Sequence, residues 1–194
     1  MFKFFLIIGM CLNFAGSSPL FSKFIDSNTI FLDNPIKLIQ FDYITQNIDG
    51  LSEKGSGSIL IDADKYKLNL NNHILLFPGN QLKRYNKITN QIFIENNNPR
   101  IDSLILNFFN IENLEMIKAD SNGTINVLSS NFGIQDIIID LDFLADSSSI
   151  NEINIQYSNY LISLFNLNFS NHTIALESPF SFNFPDAFIF DLRD

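Results

Sequence analysis

The side chains that most often carry out chemistry are few and scattered in this chain. Its two histidines, His73 and His172, lie far apart, and neither stands at a metal-ligand spacing from a second imidazole or a carboxylate. Three aspartates, Asp136, Asp140 and Asp142, lie close together in the sequence. Asp140 and Asp142 could form a carboxylate pair, since alternate residues of a strand share one face. The apolar residues between them indicate instead that these aspartates lie on the solvent face of a strand.

No sequence motif supplies the machinery of an enzyme. The chain has no phosphate-binding glycine loop, no nucleophile elbow and no dinucleotide fingerprint. Its only cysteine, Cys11, lies in the first apolar segment. The sequence therefore predicts a non-enzymatic protein that uses neither a metal nor a cofactor.

Residues 1–17 have the layout of a secretory signal peptide. A lysine precedes an apolar run at 4–11, and the small residues Ala15, Gly16 and Ser17 follow it. We expect cleavage after the last of these small residues and export of the remaining chain.

The same region allows a second interpretation. The sequence Ile8-Gly9-Met10-Cys11 can be read as a lipidation box that anchors the protein through its cysteine. Mass spectrometry of the mature N-terminus would separate a cleaved signal from a lipid anchor.

The rest of the chain, residues 18–194, is expected to form one globular domain. The protein has 194 residues, of which 46% are hydrophobic and 17% are charged, and this composition can build a single core. Its formal net charge of -9 is dispersed along the sequence. Such a surface argues against nucleic acid and anionic lipid head groups as partners.

Alternation of apolar and polar residues predicts β-strands along most of this domain. The period of two begins at Ile36 and predicts about ten strands. Later strands are expected at 66–70, within 75–94, and at 124–128, 137–143, 153–157, 161–169, 173–176 and 180–184. Because Asn-, Ser-, Gly- and Asp-rich turns separate them, we expect an antiparallel meander.

Two segments have helical patterns instead. Residues 18–25 form a short amphipathic helix, and residues 98–109 form a second one. In the second, Asn98 caps the helix, Pro99 begins it and Asp102 complements its N-terminal dipole. Both faces of this helix are apolar, so it must be covered on more than one side. It either plugs the end of a solid β core or forms a mobile lid over the mouth of a curled sheet.

Residues 75–94 contain the most informative motif, three short strands joined by two tight turns. Pro78 can supply the fixed φ and Gly79 the positive φ of a type II turn, and residues 86–90 form the second corner. This run resembles the LolA family of periplasmic lipoprotein carriers, which shows Asp-Gly-x-x-Leu-x-x-Tyr-(Asp/Asn) followed by Gln-Val. The matching residues are Gly79, Leu82, Tyr85, Asn86, Gln91 and Ile92.

Three further segments resemble the same family in the same order. Residues 57–68 are similar to its glycine and apolar segment, and residues 98–106 to its Thr-Pro followed by a leucine-rich helix. Residues 180–193 are similar to its ending, Phe-x-Phe-x-x-Pro-x-Gly and then Val-Ile-Asp. The resemblance therefore covers residues 50–193.

The resemblance implies both a fold and a function. The fold is an unclosed, strongly curved antiparallel β-barrel of about ten to eleven strands, with short helices as a lid over an apolar cavity. The function is that of a monomeric periplasmic carrier, which takes acylated lipoproteins from an inner-membrane exporter and passes them to an outer-membrane acceptor.

One face of the curled strands is expected to line a site for acyl chains. The predicted cavity and lid residues are Tyr66, Leu68, Leu70, Phe77, Tyr85, Ile92, Ile94, Leu104, Ile105 and Phe108. Asp62 and Ala63 replace the family's basic-Pro pair, and Lys67 replaces an arginine that could latch the lid. Lysine cannot reproduce the planar fork of arginine, so the latch would work differently here.

Two alternative functions stay open from the sequence. A membrane-anchored acceptor of the related LolB type requires a lipidated Cys11. An exported regulatory or structural β domain, in the manner of the related sigma-factor regulators, requires a solid core in place of a cavity.

Overall fold

The computed structural model describes residues 19–110, 114, 125–128, 137–146, 148–171 and 179–193. The predicted signal peptide with Cys11, the predicted strand at 173–176, His172 and Asp136 lie outside these described residues.

The described chain is mainly β, as the alternation predicts. Three short helices are α1 (Pro19–Ser27), α2 (Thr29–Asp33) and α3 (Pro99–Asn107). The first six strands are β1 (Ile36–Asn47), β2 (Ser52–Asp62), β3 (Lys65–Asn69), β4 (His73–Phe77), β5 (Gln81–Asn86) and β6 (Gln91–Asn96). The other five are β7 (Ile125–Leu128), β8 (Ile137–Phe143), β9 (Ile150–Tyr157), β10 (Tyr160–Asn171) and β11 (Phe188–Asp191).

All eleven strands belong to one sheet, in the order β11-β6-β5-β4-β3-β2-β1-β10-β9-β8-β7. Neighbours pair antiparallel, except that β11 pairs parallel with β6. Within the described chain, β11 and β7 form the two edges, so the sheet curls without closing. The prediction of an unclosed, curved β fold with short helices is confirmed, and the parallel strand is a feature that the meander did not predict.

The two tight turns of the 75–94 run are confirmed. β4, β5 and β6 pair in sequence through these turns, and Gly79 has a φ of 111°. The prediction of a strand at 180–184 is wrong. Residues 179–187 form turns and irregular backbone before β11 begins, because Pro185 lacks the amide hydrogen that a paired strand would use.

The register defines two faces of the sheet. We call inner the face that carries the cross-strand row Ile39, Ile59, Leu68 and Leu75. We call outer the face that carries the row Leu38, Leu60, Lys67, Leu76, Lys83 and Ile94. Because a strand has a side-chain period of two, every other residue follows from these rows.

Helices α1 and α2 close one end of the inner face with an aromatic cluster. Phe24 is fully buried, and its ring lies edge-on to Phe169 with centroids 5.8 Å apart. Phe31 contacts Phe169 and also Phe109, which follows α3. The three helices and β10 therefore share one core. None of the helices that the structure describes is both long and apolar enough to cross a membrane.

Candidate functional site

An apolar cavity of about 420 Å³ lies between the inner face and α3, partly open to solvent. The described residues that line it are all uncharged. Strands β1, β2 and β3 contribute Phe41, Tyr43, Thr45, Ile59, Ile61, Leu68 and Leu70. Strands β8, β9 and β10 contribute Ile137, Ile139, Ile153, Ile155, Tyr157, Ile162 and Leu164. The chemistry of the lining therefore favours a hydrocarbon ligand.

Period-two alternation explains why one face supplies so much apolar surface. Ile153 and Ile155 of β9 pair with Leu164 and Ile162 of β10, so all four project from the same face. On β9 the residues between and beside them, Glu152, Asn154 and Gln156, are polar. The curl of the sheet then turns this face toward α3 and encloses the space.

Two glycines on β2 leave room at the floor of the cavity. Gly57 pairs with Phe41, and Gly55 pairs with Tyr43. A Cβ atom built at Gly57 would lie 2.7 Å from the Phe41 ring, closer than real contacts allow. Glycine is therefore required here so that the aromatic ring can fold over the neighbouring strand.

Helix α3 covers the cavity with Ile101, Leu104 and Ile105, and Phe108 and Phe109 in the turn directly after the helix complete the cover. Its start is as predicted, because the Asn98 side chain accepts a hydrogen bond from the Ile101 amide at 3.4 Å. Sequence and structure agree on these covering residues, since their spacing places them along one helical stripe.

A buried polar contact anchors α3 to the sheet. The Tyr66 hydroxyl donates a hydrogen bond to Asp102 Oδ1 at 2.8 Å, and Asp102 is only 4% exposed. Burial raises the pKa of Asp102, and the bond from Tyr66 opposes that shift. Burial and the neighbouring carboxylate also raise the pKa of Tyr66. Asp102 Oδ2 has no hydrogen-bond partner among the described atoms. The backbone of Asn98, at the start of the helix, also bonds the carboxylate, so Tyr66 is the donor that comes from the sheet.

Five of the ten predicted site residues line the cavity: Leu68, Leu70, Leu104, Ile105 and Phe108. Tyr66 and Phe77 lie on the same inner face, but they pack with Ile61 in a second buried cluster beside it. Their rings stack with centroids 5.4 Å apart. They support α3 from below and lie outside the lining of the cavity.

The other three predicted site residues require a correction. Tyr85 pairs with Ile74 and Ile92, and Ile94 pairs with Lys83, so Tyr85, Ile92 and Ile94 lie on the outer face. The turn between β4 and β5 sets this arrangement through its length, because a shift of one residue exchanges the two faces of a strand. Apolar residues occupy both faces of β6, so the alternation in the sequence does not show which of them lie on the inner face.

Lys67 lies on the outer face as well, opposite the face that α3 covers. Its Nζ donates hydrogen bonds to the carbonyl oxygens of Ser181 at 2.9 Å and Pro179 at 3.3 Å. The predicted lid latch at this position therefore holds the C-terminal segment, defined here as residues 179–193. Tyr66 of β3 and Asp102 of α3 make the contact that fixes the helix.

The C-terminal segment covers the outer face of β3 to β6. The Phe184 ring stacks on Tyr85 with centroids 3.8 Å apart, and Lys65 Nζ lies 4.8 Å from the centre of the Phe180 ring. Asn90 Nδ2 donates to the Asp186 carbonyl at 2.9 Å. This cover explains why outer-face leucines and isoleucines are buried, namely Leu60, Leu76 and Ile92.

The site prediction missed the contribution of the later strands. A large share of the cavity wall comes from β8, β9 and β10. The alternation correctly predicts strands there, but none of the four motif segments falls on them. Consistent assignment of apolar positions to one face would have found Ile139, Ile153 and Ile155. Asp140 and Asp142 lie on the opposite face, half-buried and exposed respectively, as the sequence predicts.

Groups that could bind a metal are not concentrated at the site. Among the described residues, no cluster of three or more His, Cys, Asp or Glu side chains occurs.

No protein-family model matches the sequence. A search of curated proteins finds no match either.

Three solved structures are similar to this chain at low identity. An uncharacterized conserved protein from Thermus thermophilus has a TM-score of 0.44 and 10% identity, over 88% of this chain and 98% of that one. LprF from Mycobacterium bovis has a TM-score of 0.35 and 10% identity, over 86% of this chain and 100% of its own. A LolA superfamily protein from Nitrosomonas europaea has a TM-score of 0.44 and 7% identity, over 82% of this chain and 95% of that chain. The last of these bears the name of the family that the sequence motifs resemble.

Proposed function

We propose that this protein is a non-enzymatic carrier that binds acyl chains in the cavity beneath α3. The observation that carries the proposal is the cavity itself, about 420 Å³ in volume with uncharged lining residues. A volume of this size falls in the lower part of the usual range for ligand sites, roughly 300 to 1,000 Å³. A solid β core, which a structural domain would need, would have filled this space with side chains.

The energetics of release favour partial burial of the ligand. Each buried methylene contributes about 0.8 kcal/mol, so three fully buried long acyl chains would contribute roughly 30 kcal/mol or more. Reversible non-covalent binding saturates at about 18 to 21 kcal/mol. A cavity that is open to solvent and modest in volume suits a carrier, because it leaves part of the hydrocarbon exposed.

The finer proposal is that the cargo is an acylated lipoprotein in the periplasm. It is supported by the motif resemblance, and by the signal-peptide pattern at residues 1–17. In this role the protein would receive cargo from an inner-membrane exporter and pass it to an outer-membrane acceptor. The chain would need no energy source of its own, since a difference of about 1.4 kcal/mol in affinity shifts the distribution of cargo tenfold.

Titration with a fluorescent acyl probe tests the binding proposal. Ile155→Phe adds volume inside the cavity, and we expect it to weaken probe binding while the free energy of unfolding changes by less than about 1.5 kcal/mol. The matched control is Leu38→Phe, which adds a ring of the same size on the outer face and should leave probe binding unchanged. Absence of probe uptake by the unmodified protein would contradict the proposal and favour the regulatory or structural alternative.

Depletion in the source cell tests the transport role separately. If the protein carries lipoproteins, its depletion should leave outer-membrane lipoproteins at the inner membrane, as fractionation would show. Normal sorting in a strain without a second carrier would restrict the function to lipid binding. An acylated, membrane-bound Cys11 in the same fractions would instead favour the acceptor role.

A further inference from the structure

A second cavity of about 360 Å³ lies beside the C-terminal end of α3. Where the first is lined by hydrocarbon, this one is lined in part by a lysine and two asparagine side chains, Lys37, Asn107 and Asn110. Leu106 and Asn107 reach it from the end of α3, and Lys37 reaches it from the start of β1. The Asn107 amide already donates to Ser103, so the ammonium group of Lys37 is what suits this cavity to a ligand with hydrogen-bond acceptors.

Lys37 is the charged group of this second cavity. It pairs with Ile61 on β2 and is half-buried. Its Nζ donates a hydrogen bond to the Asn34 carbonyl at 2.6 Å, and an ammonium group has three donors in all. Burial lowers the pKa of Lys37, while the charge of Asp33 opposes this shift. A bound anion would relieve the cost of burying this ammonium.

The two cavities share a wall. Ile61 and Phe109 line both of them, so the two spaces are separated by little more than these side chains. A molecule with a hydrocarbon tail and a polar head could therefore contact both cavities by passing these two side chains.

We propose that the ligand is an amphiphile with an anionic head, its tail in the apolar cavity and its carboxylate or phosphate oxygens on Lys37. This inference rests on the acyl-chain binding of the proposed function and specifies the head group of the ligand; it does not depend on the lipoprotein cargo, whose acylated end is uncharged. Among the described residues that line either cavity, Lys37 is the one charged side chain. The net charge of -9 disfavours docking on an anionic surface, but a single head group inside the cavity responds to the local ammonium.

Three probes with the same saturated chain test the inference: palmitate, hexadecyl phosphate and hexadecanol. Each is titrated against the full chain by calorimetry. We expect at least one anionic probe to bind about tenfold or more tightly than the alcohol. Preference for both anions identifies a general oxyanion site, and preference for one identifies the head group. Equal affinity for all three overturns the inference but leaves acyl-chain binding intact, whereas absence of binding by all three overturns both.

Lys37→Met should abolish the preference for anions and leave the affinity for hexadecanol unchanged. The alcohol thereby also reports whether the variant is folded. Lys83→Met is the matched control, because it removes the same charge from a half-buried lysine on the outer face; it should keep the preference. Lys37→Gln provides a second variant with a polar side chain and should lose the preference as well. A preference that survives both Lys37 substitutions overturns the inference.

Discussion

The two faces of one sheet are covered in different ways, although both carry apolar side chains. On the inner face, α3 spans a cavity and contacts the strands around its edge. On the outer face, the irregular C-terminal segment lies directly on the side chains, with Phe184 stacked 3.8 Å from Tyr85. The covering element, more than the residue types beneath it, therefore decides whether open space is left above an apolar face.

The attachments of the two covers differ as well. One polar attachment of α3 to the sheet is the buried pair Tyr66 and Asp102, made by side chains alone. The C-terminal segment is attached by Lys67, by Asn90 and by the strand pairing of β11 with β6. We therefore expect α3 to separate from the sheet more readily than the C-terminal segment does.

The largest expected effect is at the outer face. Leu76 is 5% exposed beneath the C-terminal segment, so Leu76→Asp removes a packed side chain and buries a charge. We expect the free energy of unfolding to fall by about 3 kcal/mol or more, measured by urea denaturation. Ile88→Asp on an exposed turn is the control and should change it by less than about 0.5 kcal/mol.

The inner face should respond differently to the same chemical change. Leu104 is buried, with 8% of its surface exposed, but it borders the partly open cavity. A carboxylate introduced by Leu104→Asp therefore has space beside it, which the packed site of Leu76 lacks. We expect a smaller loss of stability than for Leu76→Asp, together with a fall of about tenfold or more in affinity for an acyl probe. An equally large loss of stability, without probe binding by the parent protein, would mean that both faces are solid cores.

The anchor of α3 is the next test. Tyr66→Phe removes the described donor to Asp102 Oδ1 and leaves a buried carboxylate without it. The expected cost is about 1 to 3 kcal/mol in the free energy of unfolding. The substitution should accelerate hydrogen exchange more in residues 99–107 than in β11. Equal acceleration in both regions would contradict the idea that the two covers are attached independently.

The same anchor predicts a dependence on pH. Because burial raises the pKa of Asp102, the folded protein holds this proton in a pH range where the unfolded chain has lost it. The contribution of Asp102 to stability therefore falls as pH rises from the ordinary aspartate pKa through the raised value in the fold. Asp102→Asn removes this pH-dependent contribution. As pH rises from the ordinary to the raised pKa, the free energy of unfolding of the variant should therefore increase relative to that of the parent. Parallel stability curves from urea denaturation at several pH values would contradict the prediction.

The smallest expected effect concerns Lys67. Lys67→Met removes two hydrogen bonds to the C-terminal segment, each with a net contribution of about 0.5 to 1.5 kcal/mol. Lys67 is partly exposed, which reduces the contribution of these hydrogen bonds. We expect the free energy of unfolding to fall by about 1 kcal/mol in total. Faster hydrogen exchange at residues 179–184, with unchanged acyl-probe affinity, would confirm that this lysine serves the outer face alone. Weakened probe binding would instead mean that Lys67 acts as a lid latch.

The sequence predicts the strands, the two tight turns and α3 because each depends on local residues. Pro78 and Gly79 specify a turn whatever the position of the adjoining strands in the sheet. Asn98 and Pro99 likewise specify the start of a helix. The face on which Tyr85, Ile92 and Ile94 lie depends instead on turn length and on which element later covers the strand. Phe180, Phe182 and Phe184 alternate with other residues as they would in a strand, yet they form part of an irregular cover. Their alternation does not show which element they pack against.

The candidate site could be predicted in part. Leu68, Leu70 and the apolar stripe of α3 follow from alternation and helical period. Lys37 and the polar cavity could not be foreseen, because Lys37 comes close to the end of α3 only through the curl of the sheet. Asp102 reads in the sequence as a helix-dipole residue, and its partner Tyr66 is 36 positions away.

The position of β1 at the centre of the sheet has a consequence for folding kinetics. β1 pairs with β2 nearby and with β10, where Leu38 and Ser170 are 132 positions apart. Strands β1 to β6 and β8 to β10 can form local hairpins early, but joining the two groups requires closure of a long loop, which is slow. The cavity has walls from both groups, so it exists only after this last step. A ligand should therefore leave the folding rate unchanged and slow unfolding, which makes the loaded protein kinetically longer-lived than the empty one.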